Sequence, residues 1–208
     1  MEARASTVAI RLSGPVEVPT AAPPTVLRTP RMTLRPLMES DKAAYLAAVA
    51  VSRPALDRFL PLHIDADESD EAMFARQLEL ARIGASGAKE WLRFVAVLDD
   101  GTIAGGFNLS AISRGLEWRA DINWWTASTL TGRGLASEGG AAIIEHALAD
   151  LPGGLGLSEL HGWITRENVA CAAIARKLGF ERQGDEKTFL LTDSSRWVLH
   201  DLWIRRAK

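Results

Sequence analysis

Hydrophobic and polar positions follow regular spacings over most of the chain after residue 26, and these spacings predict an α/β domain. Alternation with a period of two indicates strands, as at 117–125, where Trp118, Ala120 and Ile122 share one face. Spacings of three and four indicate helices. The predicted order is a strand at 32–35, helices from Ser40 and from Ser69, strands at 91–98, 102–112 and 117–125, a helix at 137–148, a strand at 160–165, a helix at 168–178 and strands at 188–192 and 197–204.

Local signals mark several ends of these elements. An Asp-Gly pair at 100–101 separates two apolar runs, a pattern that is typical of a β-hairpin. Asn168 is a favourable N-cap for the helix that follows it, and Gly179 can take the left-handed conformation that ends a helix. Ser40 is the expected cap of the first helix, which is predicted to continue through Val49.

Composition sets the class of protein. The 208 residues are 47% apolar, enough for one core, and we expect an extended or disordered Pro/Ala-rich leader at 1–26 before a folded domain at 27–208. A net charge of −2 without a Lys/Arg cluster argues against nucleic acid, and no apolar run reaches the length of a membrane span. One cysteine and four scattered histidines predict no internal disulfide and no metal site. We therefore expect a cytoplasmic protein; the sequence leaves monomer and homodimer both open.

The most informative segment is a glycine-containing turn between a strand and a helix. Two glycines there leave backbone N–H groups uncovered at the positive end of a helix dipole, where a phosphate or pyrophosphate can bind. The alternative is a tight turn that only connects the two elements. The candidate phosphate-binding residues are Thr131, Gly132, Arg133, Gly134, Leu135 and Ala136.

Two familiar phosphate sites do not fit this turn. A P-loop requires Lys followed by Ser or Thr after the last glycine, and this chain has Leu135-Ala136. A dinucleotide site requires glycine where Ser137 stands and an acidic residue at the end of the next strand, whereas Glu159 precedes that strand.

Four segments in order resemble the ribosomal-protein N-terminal acetyltransferase branch of the GNAT superfamily. The resemblance covers roughly residues 27–205, with Thr129 at the position where the GNAT loop pattern has Arg or Gln. The segments are Ser52-Arg53, Leu56 and Phe59-Leu60-Pro61; Asp121-Ile122-Asn123-Trp124-Trp125, where the branch has Glu-Ile-Gly-Tyr-Trp; the glycine turn; and Glu167-Asn168-x-x-Cys171 followed by Lys177-Leu178-Gly179-Phe180.

This resemblance implies a GNAT fold and acetyl-CoA as cosubstrate. The fold would have a mostly antiparallel sheet of about seven strands, flanked by about four helices and splayed between the fourth and fifth strands, here 120–125 and 160–165. The pyrophosphate would bind the glycine turn, and the pantetheine arm would lie in the split along Trp124 and Trp125. Asn168 would hydrogen-bond that arm, although helix capping alone also explains this residue.

The implied reaction is direct attack of a primary amine on the acetyl thioester in a ternary complex. Asp121 is the first candidate base; the alternative is a strand-face carboxylate paired with Arg119 or solvated. Glu117, His161 and His200 are weaker candidates.

Cys171 occupies a position where the branch has a serine proposed to protonate the departing thiolate. A thiol could do the same, but a cysteine on the apolar stripe of a helix also fits a role in the core.

Two arginines and two aromatic residues surround the expected acceptor site. Arg53 and Arg58, expected in the loop after the first helix, are interpreted as solvated, while Phe59 and Trp125 could line the acceptor pocket. The acceptor is expected to be a protein N-terminal amine. The alternatives are a small-molecule amine and a non-catalytic acyl-CoA sensor.

Overall fold

The computed structural model describes residues 26–65, 67–85, 90–191 and 196–208, so most of the expected leader lies outside the described residues. The described residues form four α-helices and eight strands, in the predicted order after an additional two-residue strand. The strands are β1 (Leu27–Arg28), β2 (Met32–Arg35), β3 (Leu92–Leu98), β4 (Ile103–Arg114), β5 (Trp118–Thr126), β6 (Glu159–Thr165), β7 (Glu181–Leu191) and β8 (Arg196–Arg206). The helices are α1 (Lys42–Phe59), α2 (Asp70–Ala85), α3 (Leu135–Leu148) and α4 (Val169–Lys177).

All eight strands belong to one sheet in the order β1-β2-β3-β4-β5-β6-β8-β7. Every neighbouring pair is antiparallel except β5 and β6, which are parallel. The connection between β5 and β6 contains α3, as a parallel crossover requires. The sheet is therefore mixed but mostly antiparallel, as predicted.

The two faces of the sheet carry different helices, because consecutive residues of a strand point to opposite sides. On β5, Trp125 packs edge-on against Tyr45 of α1, whereas Trp124 contacts Phe180, directly after α4. Residues of both faces are buried and form one continuous core.

The parallel pair separates after three residues. Its register pairs Arg119 with Glu159, Ala120 with Leu160 and Asp121 with His161, and no pairing between the two strands is present beyond that point. The rest of β6 stays paired with β8, and the rest of β5 stays paired with β4. Each strand thus follows a different neighbour, and the predicted V-shaped split is confirmed.

The first helix differs from its prediction. It begins at Lys42 after a short 3-10 turn, with Asp41 rather than Ser40 at the N-cap position. It also continues through Pro54 to Phe59, because its buried stripe of Tyr45, Ala48, Val49, Ser52 and Leu56 extends past the proline. Arg53 and Arg58 therefore lie on a helix, not in a loop.

Both arginines are also paired rather than only solvated. Arg53 Nη1 lies 2.9 Å from Asp70 Oδ1, and Arg58 Nη2 lies 3.2 Å from Glu167 Oε2. Each pair connects α1 to a segment distant in the chain.

Candidate active site

A cleft of about 490 Å³ occupies the split between β5 and β6. The end of α1 forms one wall, α4 forms another, and the turn before α3 closes one end. Of the predicted site residues, the cleft is lined by Trp124, Trp125, Thr131, Gly132, Gly134, Leu135, Ala136, Asn168 and Cys171. The structure therefore brings together residues from β5, the glycine turn, α3 and α4.

The glycine turn has the geometry that requires glycine. Gly132 and Gly134 have φ angles of 76° and 79°, in the left-handed region that other residues rarely adopt. Gly134 is the N-cap of α3, so no side chain caps this end of the helix. Within the described ranges, the amides from Thr131 to Ser137 donate no hydrogen bond, so this end of α3 presents several free donors.

One serine, Ser52, fixes the contact between α1 and the turn that follows β5. Ser52 donates its hydroxyl hydrogen bond to the carbonyl of Ala48 over 2.7 Å and accepts one from the amide of Ser128 over 3.0 Å. Because Ser128 begins the short 3-10 turn after β5, this bond fixes the wall formed by α1 relative to the glycine turn.

A cation that the sequence analysis missed lies beside the turn. Arg31, just before β2, donates to Glu138 in the first turn of α3 over 2.6 Å and to the carbonyl of Arg133 over 2.9 Å. Burial tends to raise the pKa of Glu138, but hydrogen bonds from Thr29 and Arg31 outweigh it and lower the pKa. The side chain of Arg133 itself is exposed and does not line the cleft.

Asn168 and Cys171 meet at the start of α4. The Asn168 side-chain oxygen accepts a hydrogen bond from the Cys171 amide over 3.1 Å, so the predicted helix cap is confirmed. Since the cap uses only the oxygen, the amide nitrogen of Asn168 remains a donor for the cleft. Burial raises the pKa of the Cys171 thiol to about 12, which keeps this group protonated at neutral pH.

Asp121 lies at the point where β5 and β6 separate, opposite His161, and does not line the cleft itself. Burial raises the pKa of its carboxyl, while electrostatic interactions with His161, Arg119 and Lys187 and a hydrogen bond from Trp163 act in the opposite direction. Its Oδ1 is buried and lies 3.9 Å from the Arg119 guanidinium. Asp121 is thus a partly desolvated carboxylate next to the cleft.

The three weaker base candidates have different surroundings. Glu117 is exposed and pairs with Arg119 at 2.8 Å, and His161 lies 2.6 Å from Glu159. His200 is buried and lines the cleft.

An open mixed sheet that is split between two parallel strands, beside an uncovered helix N-terminus, is the architecture expected for the GNAT fold. The family described as acetyltransferase (GNAT) domain matches residues 31–181. The chain belongs to this GNAT acetyltransferase family, and it is an acyl-CoA-dependent N-acetyltransferase.

Solved structures show the same fold at low sequence identity. Mycobacterium smegmatis RimJ in complex with CoA-disulfide is 23% identical over 88% of this chain and 86% of that chain, with a TM-score of 0.72. The Vibrio fischeri ribosomal-protein-S5-alanine acetyltransferase is 19% identical over 88% and 97%, with a TM-score of 0.71. RimL, a ribosomal L7/L12 α-N-protein acetyltransferase solved with coenzyme A, is 17% identical over 88% and 98%, with a TM-score of 0.69.

No curated protein sequence matches the chain. In the part of the chain that the structure describes, no helix has both the length and the apolar character to cross a membrane.

Proposed function

We propose that this enzyme transfers the acetyl group of acetyl-CoA to the α-amine of a protein N-terminus, by direct attack in a ternary complex. The observation that carries the proposal is the cleft between β5 and β6, which has free amides at one end and begins where the two strands separate, next to Asp121. Similar folds named as ribosomal-protein acetyltransferases support this class of acceptor.

The cleft suits the chemical parts of acetyl-CoA. The free amides from Thr131 to Ala136 and the α3 dipole would hold the pyrophosphate, with Arg133 adding positive charge and Arg31 neutralising Glu138. The pantetheine arm would lie along the unpaired edge of β5 at Trp124 and Trp125, with the Asn168 amide nitrogen as a further donor.

The reaction then requires two proton transfers. The neutral amine attacks the thioester carbon, a C–N bond forms, and a backbone amide of β5 stabilises the oxyanion. The C–S bond breaks as the intermediate collapses; Asp121 accepts a proton from the amine nitrogen, directly or through water, and Cys171 donates one to the departing thiolate. Burial raises the pKa of the Cys171 thiol, and it would act in the same way on the coenzyme thiol in the same cleft. The two thiols would therefore have similar acidity, so that a proton can pass from one to the other.

A carboxylate base is better matched to an α-amine as the acceptor than to the amine of a lysine side chain. The pKa of a peptide α-amine is about 7.7–8.0, so a large fraction is already neutral near pH 7.5, whereas lysine has a pKa near 10.4. A raised pKa at Asp121 makes its ionised carboxylate a stronger base.

The test is thiol release from acetyl-CoA with panels of peptides and of small amines, beside direct measurement of acetyl-CoA binding. Turnover on peptide α-amines supports the proposal. Turnover confined to small amines would replace the acceptor class, and binding without turnover on any acceptor would indicate an acyl-CoA sensor.

A further inference from the structure

A row of polar residues crosses three strands on the sheet face that carries α1 and α2. Arg93 of β3 pairs in register with Asn108 of β4, which pairs in register with Asn123 of β5. Paired residues on antiparallel strands lie roughly 5 Å apart, so Arg93 and Asn123 are about 10 Å apart along this polar row. All three residues share one face, because registered partners point to the same side.

The row leads into the acetyl-CoA cleft. Asn123 lines that cleft, and its side-chain oxygen accepts a hydrogen bond of 2.9 Å from Asn108, which is itself buried. Asp121, the candidate base, lies two residues before Asn123 on β5 and therefore on the same face. Asn123 also stands where the resembled branch has glycine, and glycine has no side chain that could accept this hydrogen bond.

At the other end of the row, Arg93 carries a positive charge without a carboxylate partner. Among the described residues, its guanidinium has one partner, the amide oxygen of Gln77 at 3.3 Å, and its buried Nε has none. Burial lowers the pKa of Arg93. The electrostatic effect of Tyr45 from α1 raises this pKa, while the positive charge of Arg76 from α2 lowers it further. Arg76 has the same charge as Arg93 and therefore cannot compensate it; its own carboxylate partner is Glu68, at 2.8 Å.

A small crevice opens at the guanidinium. It has a volume of about 20 Å³ and is lined by Arg93, Gln77, Tyr45, Asn108 and Trp125, of which Trp125 also lines the acetyl-CoA cleft. A volume of this size admits one oxygen atom. An uncompensated, partly buried guanidinium is costly, and a carboxylate is the group that matches its planar donors.

We propose that Arg93 binds an acidic side chain at the second or third residue of the acceptor protein, and thereby selects the N-termini that the enzyme acetylates. The inference rests on the proposed function, since it places the α-amine beside Asn123 and Asp121. An extended chain advances about 3.3 Å per residue, so a Glu or Asp side chain at these positions spans the roughly 10 Å to Arg93. The carboxylate replaces the weak Gln77 contact with charge-assisted hydrogen bonds.

The experiment compares peptide acceptors that differ only in Glu or Gln at the second or third position. With saturating acetyl-CoA, we expect a kcat/KM about tenfold higher for the better Glu peptide, the range of a charge-assisted hydrogen bond. Arg93→Met, which keeps the length but removes the charge, should reduce this preference to less than about twofold, and Arg93→Lys should retain part of it. Arg82→Met is the matched control, because Arg82 is an exposed α2 arginine whose loss should leave the preference unchanged.

Equal kcat/KM for Glu and Gln peptides in the wild-type enzyme, or a preference that survives in Arg93→Met, would overturn the inference. Binding of the N-acetylated Glu and Gln peptides to the CoA-loaded protein, measured by calorimetry, separates this outcome from failure of the proposed function. Tighter binding of the acidic peptide that depends on Arg93, without turnover of any peptide, supports the subsite and rejects peptide acetylation. Turnover without an acidic preference does the reverse. Acetyl-CoA affinity and thermal unfolding of each variant report on folding.

Discussion

Arg31 forms an ion pair of 2.6 Å with Glu138, and this contact joins the start of β2 to the first turn of α3. Glu138 lies at the helix end whose free amides are expected to hold a pyrophosphate, so an unpaired carboxylate there would repel the ligand. Arg31 neutralises this charge and also holds the carbonyl of Arg133 in the glycine turn. Arg31 is therefore expected to influence pyrophosphate binding in two ways, by neutralising Glu138 and by fixing the conformation of the glycine turn.

Arg31→Met should weaken acetyl-CoA binding by roughly 5- to 20-fold, because the Glu138 carboxylate is then uncompensated beside the pyrophosphate. The double variant with Glu138→Gln removes the repulsion and should recover most of the loss. Dissociation constants from calorimetry at low and high salt measure both effects. Equal affinities in the single and double variants would show that Arg31 acts only by shaping the turn.

Gly134→Asp should weaken acetyl-CoA binding more than it lowers stability. The matched control is Gly134→Asn, because both side chains tolerate the left-handed φ of 79° and only aspartate adds a charge. Each variant should lose about 1 kcal/mol in the free energy of unfolding. Only Gly134→Asp should lose a further tenfold or more in coenzyme affinity, so equal affinities in two folded variants would contradict pyrophosphate binding at this turn.

The features that could be predicted from sequence depend on residues close together in the chain. The hairpin at 100–101, the Asn168 cap and the left-handed Gly179 each follow from a few neighbouring residues, and the structure confirms them. The split in the sheet was predictable only through the family resemblance, because composition and periodicity do not specify where two strands separate.

Features that depend on distant residues could not be predicted. Arg31 and Glu138 are 107 positions apart, and neither residue has a local pattern that indicates the other. The same holds for the contact between Asn108 and Asn123, which depends on the register of β4 and β5. Helix α1 passes through Pro54 because tertiary burial of its stripe outweighs the local preference of proline.

Asp121→Asn should lower kcat at pH 7 by about 10²-fold, because the variant keeps the shape of the side chain but cannot accept a proton. In the wild-type enzyme, activity requires the ionised carboxylate. Since burial raises the pKa of Asp121, the acidic limb of the pH–rate profile should lie above the ordinary carboxyl value of 3.8. That limb should disappear in the variant, while acetyl-CoA affinity stays unchanged.

The control for this measurement is Glu117→Gln, which removes the exposed carboxylate on the other side of Arg119. Its pH–rate profile should match that of the wild-type enzyme. Retention of the acidic limb in Asp121→Asn would remove Asp121 as the base.

Cys171 should be nearly inert toward iodoacetamide at pH 7.5, because alkylation requires the thiolate. With a pKa of about 12, compared with about 8.5 for a free cysteine, the thiolate fraction falls by about 10³-fold. The rate should rise about tenfold per pH unit up to pH 10. Cys171 is the only cysteine, so the mass of the labelled protein reports on this residue alone, and a plateau below pH 9 would contradict the raised pKa.

Replacement of Cys171 distinguishes proton donation from packing. Cys171→Ala removes the donor and should lower kcat roughly tenfold, less than the usual 10²-fold or more for a general acid, because a thiolate is a good leaving group without full protonation. Cys171→Ser keeps a donor at the same position and should stay within about threefold of the wild-type kcat. A core role predicts instead that both variants lose stability while kcat per folded molecule stays unchanged. Single-turnover rates, together with the folded fraction from thermal unfolding, decide between the two roles, because only a proton donor makes serine a better replacement than alanine.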